Sequence, residues 1–121
     1  MSADQIYQTA LDAYEAGDFL RATGALEPLA RAGDVKALTI MGTWYTLPEM
    51  LDSEKAVKYL TAAASRGNGH AAHNLATLYV APPPGIEVSH EKARQWYQVA
   101  YDSGFEATVS SDPLWWKREA T

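Results

Sequence analysis

Apolar residues fall on two helical stripes that alternate along the chain, each with the spacing i, i+3, i+4, i+7, i+8 of one face of an α-helix. The first stripe is Ile6, Thr9, Ala10, Ala13 and Tyr14, repeated as Ala37, Ile40, Met41, Trp44 and Tyr45 and again as Ala71, Asn74, Leu75, Leu78 and Tyr79. Every copy ends in a tyrosine. The second stripe is Ala22, Ala25, Leu26, Leu29 and Ala30, repeated as Ala56, Tyr59, Leu60, Ala63 and Ala64 and as Ala93, Trp96, Tyr97, Ala100 and Tyr101. Asp18, Asp52 and Ser89 stand four residues before each copy of the second stripe, where their side-chain oxygens can cap a helix start. Gly33, Gly67 and Gly104 stand eleven residues after the same points, suited to a left-handed stop. Glu54 and Glu91 place negative charge in first turns, where the helix dipole favours it.

The pattern predicts three antiparallel helical hairpins, roughly residues 3–33, 34–67 and 69–104, in a single all-α domain spanning 1–121. Tyr45 to Tyr79 and Ala22 to Ala56 are both 34 residues, whereas Ala56 to Ala93 is 37. The extra length falls at Pro82-Pro83-Pro84-Gly85, read as a stiff, extended connector. Pro28 lies within the second helix and is expected to kink or split it near Leu26, since proline removes one backbone hydrogen bond. Gly42 and Ala76 let paired helices approach closely; the equivalent Leu11 implies a wider crossing in the first hairpin. Residues 105–121 lose the pattern and are expected to cap the open end of the stack, with Trp115 and Trp116 packed against it.

Three strings carry a family resemblance. Gly42-Thr43-Trp44-Tyr45, Asp52-Ser53-Glu54-Lys55-Ala56-Val57-Lys58-Tyr59-Leu60 with Ala62-Ala63-Ala64-Ser65-Arg66-Gly67, and Glu91-Lys92-Ala93-Arg94-Gln95-Trp96-Tyr97 with Gly104 resemble Sel1-like repeats over residues 37–107. Tyr14-Glu15-Ala16-Gly17-Asp18-Phe19 before Ala22 is closer to a tetratricopeptide unit. The resemblance implies a short α-solenoid of bacterial type that acts as an adaptor or scaffold. It further implies that the first helix of each hairpin lines a concave groove.

Composition narrows the chemistry. At 121 residues the chain suits one domain with a real core, and the absence of cysteine excludes disulfides, thiolate metal sites and a thiol nucleophile. A net charge of −5, with no Lys/Arg cluster in the sequence, argues against a nucleic-acid surface. No apolar run of membrane-spanning length and no secretory leader pattern occurs, so no membrane association is expected and, with Met1 as the native start, a cytoplasmic location is expected. No GxSxG string, phosphate loop or metalloprotease motif is present, and the chain is expected to be neither an enzyme nor a cofactor carrier. His70 and His73, one helical turn apart, could supply two metal ligands but lack an evident third, and metal-dependent chemistry is the alternative from another class.

The outward positions of the first helices are Gln5, Gln8, Asp12 and Glu15, then Lys36, Thr39 and Thr43, then His70, His73 and Thr77. They form a polar groove, acidic at one end and histidine-bearing at the other, which suits a segment of another protein or peptide. A narrower expectation is an immunity-type inhibitor whose acidic surface docks on a basic toxin or effector. The chain itself is expected to be a monomer or a weak homo-oligomer; a purely structural fragment that self-associates through exposed end aromatics is a third alternative.

Overall fold

The computed structural model describes residues 2–104, and the expected cap over 105–121, with Trp115 and Trp116, lies outside the described residues. The described residues form six α-helices and no strand: α1 (Ala3–Glu15), α2 (Phe19–Arg31), α3 (Val35–Trp44), α4 (Ser53–Ser65), α5 (Gly69–Val80) and α6 (His90–Asp102). Each helix packs against its neighbours in the chain, and α3 also touches α5 and α4 touches α6. No described helix is long and apolar enough to cross a membrane.

A two-residue joint sets three of the five connections. Gly17, Gly33 and Gly67 adopt φ of 80°, 88° and 89°, a region that costs an L side chain energy but not glycine. The next residue donates its amide back to a carbonyl of the finished helix: Asp18 to Ala13 at 2.9 Å, Asp34 to Leu29 at 3.0 Å and Asn68 to Ala63 at 3.2 Å. This is the Schellman ending, which satisfies carbonyls left over at a helix C-terminus. The same three residues then cap the next helix, accepting from the amides of Arg21, Ala37 and Ala71 at 3.1, 2.9 and 2.8 Å. One Asp or Asn thus ends one helix and begins another, which leaves the two no length of chain in which to diverge.

The two longer connections are clamped at their base. The amide of Asp52 donates to the Tyr45 carbonyl at 2.9 Å and that of Ser89 to the Tyr79 carbonyl at 3.0 Å. Asp52 and Ser89 then cap α4 and α6. Chain can therefore be inserted between clamp residues without displacing the helix that follows. The Pro82–Pro84 segment is not simply extended: the Ile86 amide donates to the Pro83 carbonyl at 3.3 Å, with Gly85 at φ 94°, the Pro-then-Gly order of a type II turn. Ser53 Oγ holds this turn against the start of α4 by donating to the Pro84 carbonyl at 2.5 Å.

Helix faces bury as the stripes predict. One apolar cluster draws on all six helices, with Leu26, Met41, Leu60 and Leu75 its largest fully buried side chains and alanines filling the space between them. Small residues matter because they let backbones approach. A Cβ on Gly42 would stand 2.7 Å from Leu60 Cγ and 3.0 Å from the Leu60 amide nitrogen. Leu11, by contrast, is 41% exposed, and the buried residues of α1 are Tyr7, Ala10 and Ala13. Pro28 does not split α2, which runs unbroken through it. Pro28 and Gly24 are both exposed, so water can reach the Gly24 carbonyl that proline leaves without an amide.

Aromatic rings tie the layers together. Tyr14 stacks on Trp44 with centroids 5.0 Å apart and planes 2° from parallel, joining α1 to α3. The tyrosines at the equivalent positions carry a cation: Lys55 lies 5.3 Å from the centre of the Tyr45 ring, which also stacks on Tyr59, and Lys92 lies the same distance from that of Tyr79. Tyr7 makes a further α1–α3 link that the stripes do not contain. Its hydroxyl donates in a short hydrogen bond to Asp34 Oδ1, the oxygen that also caps α3 at Ala37. Burial, helped by the hydrogen bond and charge of Asp34, pushes the Tyr7 phenol up to about 12. The Tyr7 hydrogen bond holds the Asp34 carboxyl below its usual 3.8, against the opposing effect of burial.

Two predictions follow from this geometry. Gly42→Ala is expected to cost about 1–3 kcal/mol, because overpacking against a backbone atom outweighs the roughly 0.5–1 kcal/mol that alanine gains in a helix. Gly24→Ala, with nothing within 4 Å of the added carbon, is expected to gain that smaller amount; thermal unfolding by circular dichroism reads both signs. Tyr7→Phe is expected to cost about 1–2 kcal/mol near neutral pH. Asp34, with its lowered pKa, stabilises the fold above 3.8 and loses that effect as pH falls, while Tyr7, with its raised pKa, loses its effect as pH climbs from 10 towards 12. The gap between wild type and Tyr7→Phe should accordingly be widest between these limits and close at both ends, in denaturant titrations across pH.

Candidate functional site

The first helix of each pair contributes the polar residues singled out above, and the contacts show how far these come together. Lys36 of α3 lies 4.4 Å from the centre of the Tyr7 ring of α1, so the α3 cation is held against the first helix. Asn74 Nδ2 of α5 donates to Thr43 Oγ1 of α3 at 3.1 Å, which joins the second and third first-helices side to side. With the Tyr14–Trp44 stack and the Tyr7–Asp34 bond, α1, α3 and α5 form a connected layer.

Along that layer the residues differ in availability. Gln8, Asp12 and Glu15 are exposed on α1, where Gln8 Nε2 donates to Asp12 at 2.8 Å and fixes both side chains along the helix. Gln5 is engaged in the capping box with Ser2. Thr39 is half-buried, its hydroxyl donating to the Val35 carbonyl at 2.8 Å. Thr43 is half-buried by its bond from Asn74. His70 is exposed, whereas His73 is half-buried with its ring 5.5 Å from that of Tyr97 on α6. Thr77 is exposed, donates to the His73 carbonyl at 3.0 Å, and lies 3.2 Å from the Tyr97 hydroxyl. The α5 end of the face therefore borders α6 through Tyr97.

Three contributors escape the sequence pattern. Asn74 occupies an apolar stripe position, and that mismatch was the available signal: a polar residue on a buried face requires a partner. Tyr97 sits on a core stripe yet its hydroxyl reaches Thr77. Tyr7 lies one place off the stripe and carries no signal of its own.

Chemically, the face offers carboxylates, amides, hydroxyls and imidazoles for hydrogen bonds and ion pairs. No group of three or more His, Asp or Glu side chains that could hold a metal ion occurs among the described residues, so the metal reading rests on His70 and His73 alone. Burial, and secondarily the charge of His70, depresses the His73 imidazole below the usual 6.5. Compared with known proteins, the chain matches no family model, no curated protein and no solved structure at the significance required.

The depressed value makes His73 a measurable reporter of this end of the face. A lowered imidazole pKa means that stability is full above 6.5 and declines as pH falls through the folded-state value. In a proton NMR titration the His73 ring is expected to reach its midpoint below 6.5. His70→Ala is expected to raise that midpoint without restoring it fully, because burial is the larger cause.

Proposed function

We propose that this chain is a short α-solenoid of the Sel1-like, tetratricopeptide-related kind, and that it binds an extended or helical segment of another polypeptide along the face of α1, α3 and α5. The observation that carries the reading is the α1–α3–α5 layer, joined by Lys36 over Tyr7 and by the Asn74–Thr43 hydrogen bond. A solenoid reading accounts for the contacts between chain neighbours and for those of α3 with α5 and α4 with α6, since stacked hairpins touch the next equivalent helix. Support for a polypeptide partner comes from the surface chemistry: exposed Gln8, Asp12, Glu15, Lys36, His70 and Thr77 provide spaced polar groups rather than a closed apolar pocket. The acidic α1 end selects a partner segment with Lys or Arg at the point that meets Asp12 and Glu15. In this role the protein is an adaptor, without catalytic chemistry or cofactor. The immunity-inhibitor version rests on the net charge of −5 and is the same proposal with a basic toxin as partner.

Exposed residues give the cleanest test, since Thr43 and His73 are half-buried and their loss would also disturb packing. Asp12→Lys, Glu15→Lys and His70→Ala combined are expected to abolish capture of a stoichiometric partner from native extract, with the melting temperature within a few degrees of wild type. Unchanged capture would move the binding surface away from this face. A folded wild type that captures nothing would remove the support for an adaptor.

A further inference from the structure

Three cations gather at one place on this acidic chain, although they are far apart in sequence. Arg31 at the end of α2 and Lys58 and Arg66 on and just after α4 line a cleft of about 410 Å³. Tyr59 and Leu38 contribute apolar wall, and Glu27 is the single carboxylate among the lining residues. Glu27 pairs with Arg31 at 3.2 Å. Neither Lys58 nor Arg66 forms a salt bridge among the described residues, so the lining carries two cations in excess.

The Arg66 guanidinium is positioned from two sides. Its Nη1 donates to the Ala62 carbonyl at 3.1 Å, and its Nη2 lies 3.2 Å from where a Cβ on Gly33 would be. Glycine at the α2–α3 joint thus leaves room for the guanidinium as well as allowing the turn. Helix C-termini attract cations and would by themselves account for Arg31 and Arg66. They do not account for Lys58, which sits in the middle of α4, nor for a concavity between the three charges.

We infer that the cleft between α2 and α4 is an anion site that takes a carboxylate or phosphate oxyanion. Arginine offers paired N–H donors to such a group, lysine adds a point charge, and the volume is that of a small-ligand pocket. None of the polar residues of the α1–α3–α5 face lines this cleft, and the site does not depend on that face's polypeptide partner. A phosphate ester and an acidic side chain share this chemistry, and two probes separate them.

The test is an amide and arginine-side-chain NMR titration of the full chain with inorganic phosphate and, separately, with N-acetylglutamate. Ionic strength is matched with chloride, because exposed charges are screened by salt. Saturating shifts at Gly33, Lys58, Tyr59, Ala62 and Arg66 are expected with at least one probe, and the tighter probe identifies the source. Lys58→Gln and Arg66→Gln are each expected to weaken that binding about tenfold while leaving the circular dichroism melt in place, as for loss of a charge-assisted hydrogen bond. Shifts that fail to saturate and match chloride with both probes, or equal affinity in the variants, would overturn the site.

Discussion

The structure depends on a joint of two residues, glycine followed by Asp or Asn. Gly17-Asp18, Gly33-Asp34 and Gly67-Asn68 each close one helix through a left-handed glycine and open the next through a side-chain cap. Helix ends leave several backbone groups without partners, and a turn this short leaves few atoms to satisfy them. A single residue that donates its amide backwards and accepts an amide forwards solves both ends at once. At these three joints, backbone and capping hydrogen bonds fix how the following helix starts.

Packing builds on that constraint. Because the joints hold successive helices close, the space between them admits alanine and glycine more readily than large side chains, which is why Ala22, Ala37, Ala56, Ala71 and Ala93 are fully buried. Gly42 against Leu60 is the tightest case. The largest fully buried side chains, Leu26, Met41, Leu60 and Leu75, fill the centre of the cluster. The Asp34 carboxylate links the two levels: it caps α3, accepts from Tyr7 of α1, and follows the Gly33 joint.

Two surfaces of different character result. The α1–α3–α5 layer is polar along its length and acidic at its α1 end, which favours a spread contact with a polypeptide. The α2–α4 cleft is small, basic and partly aromatic, which favours one anionic group. Their separation follows from the alternation of helices, since first helices supply one layer and second helices most of the other.

The stripes, caps and left-handed glycines were legible in the sequence because each depends on residues within a few positions, and backbone hydrogen bonding imposes the same period wherever it occurs. Asp18, Asp52 and Ser89 as caps and Gly33, Gly67 and Gly104 as left-handed turns belong to this class. Polar exposure along α1 was also readable, from the face opposite the stripe. Other features needed the tertiary structure. Pro28 was read as kinking or splitting α2; the split does not occur, because its exposed setting lets the helix continue. The Tyr7–Asp34 and Asn74–Thr43 bonds join residues about thirty positions apart, and the gathering of Arg31, Lys58 and Arg66 joins residues of different helices. A sequence period states which way a side chain leaves its own helix; which neighbour it meets depends on how helices are placed in space, and only the fold sets that.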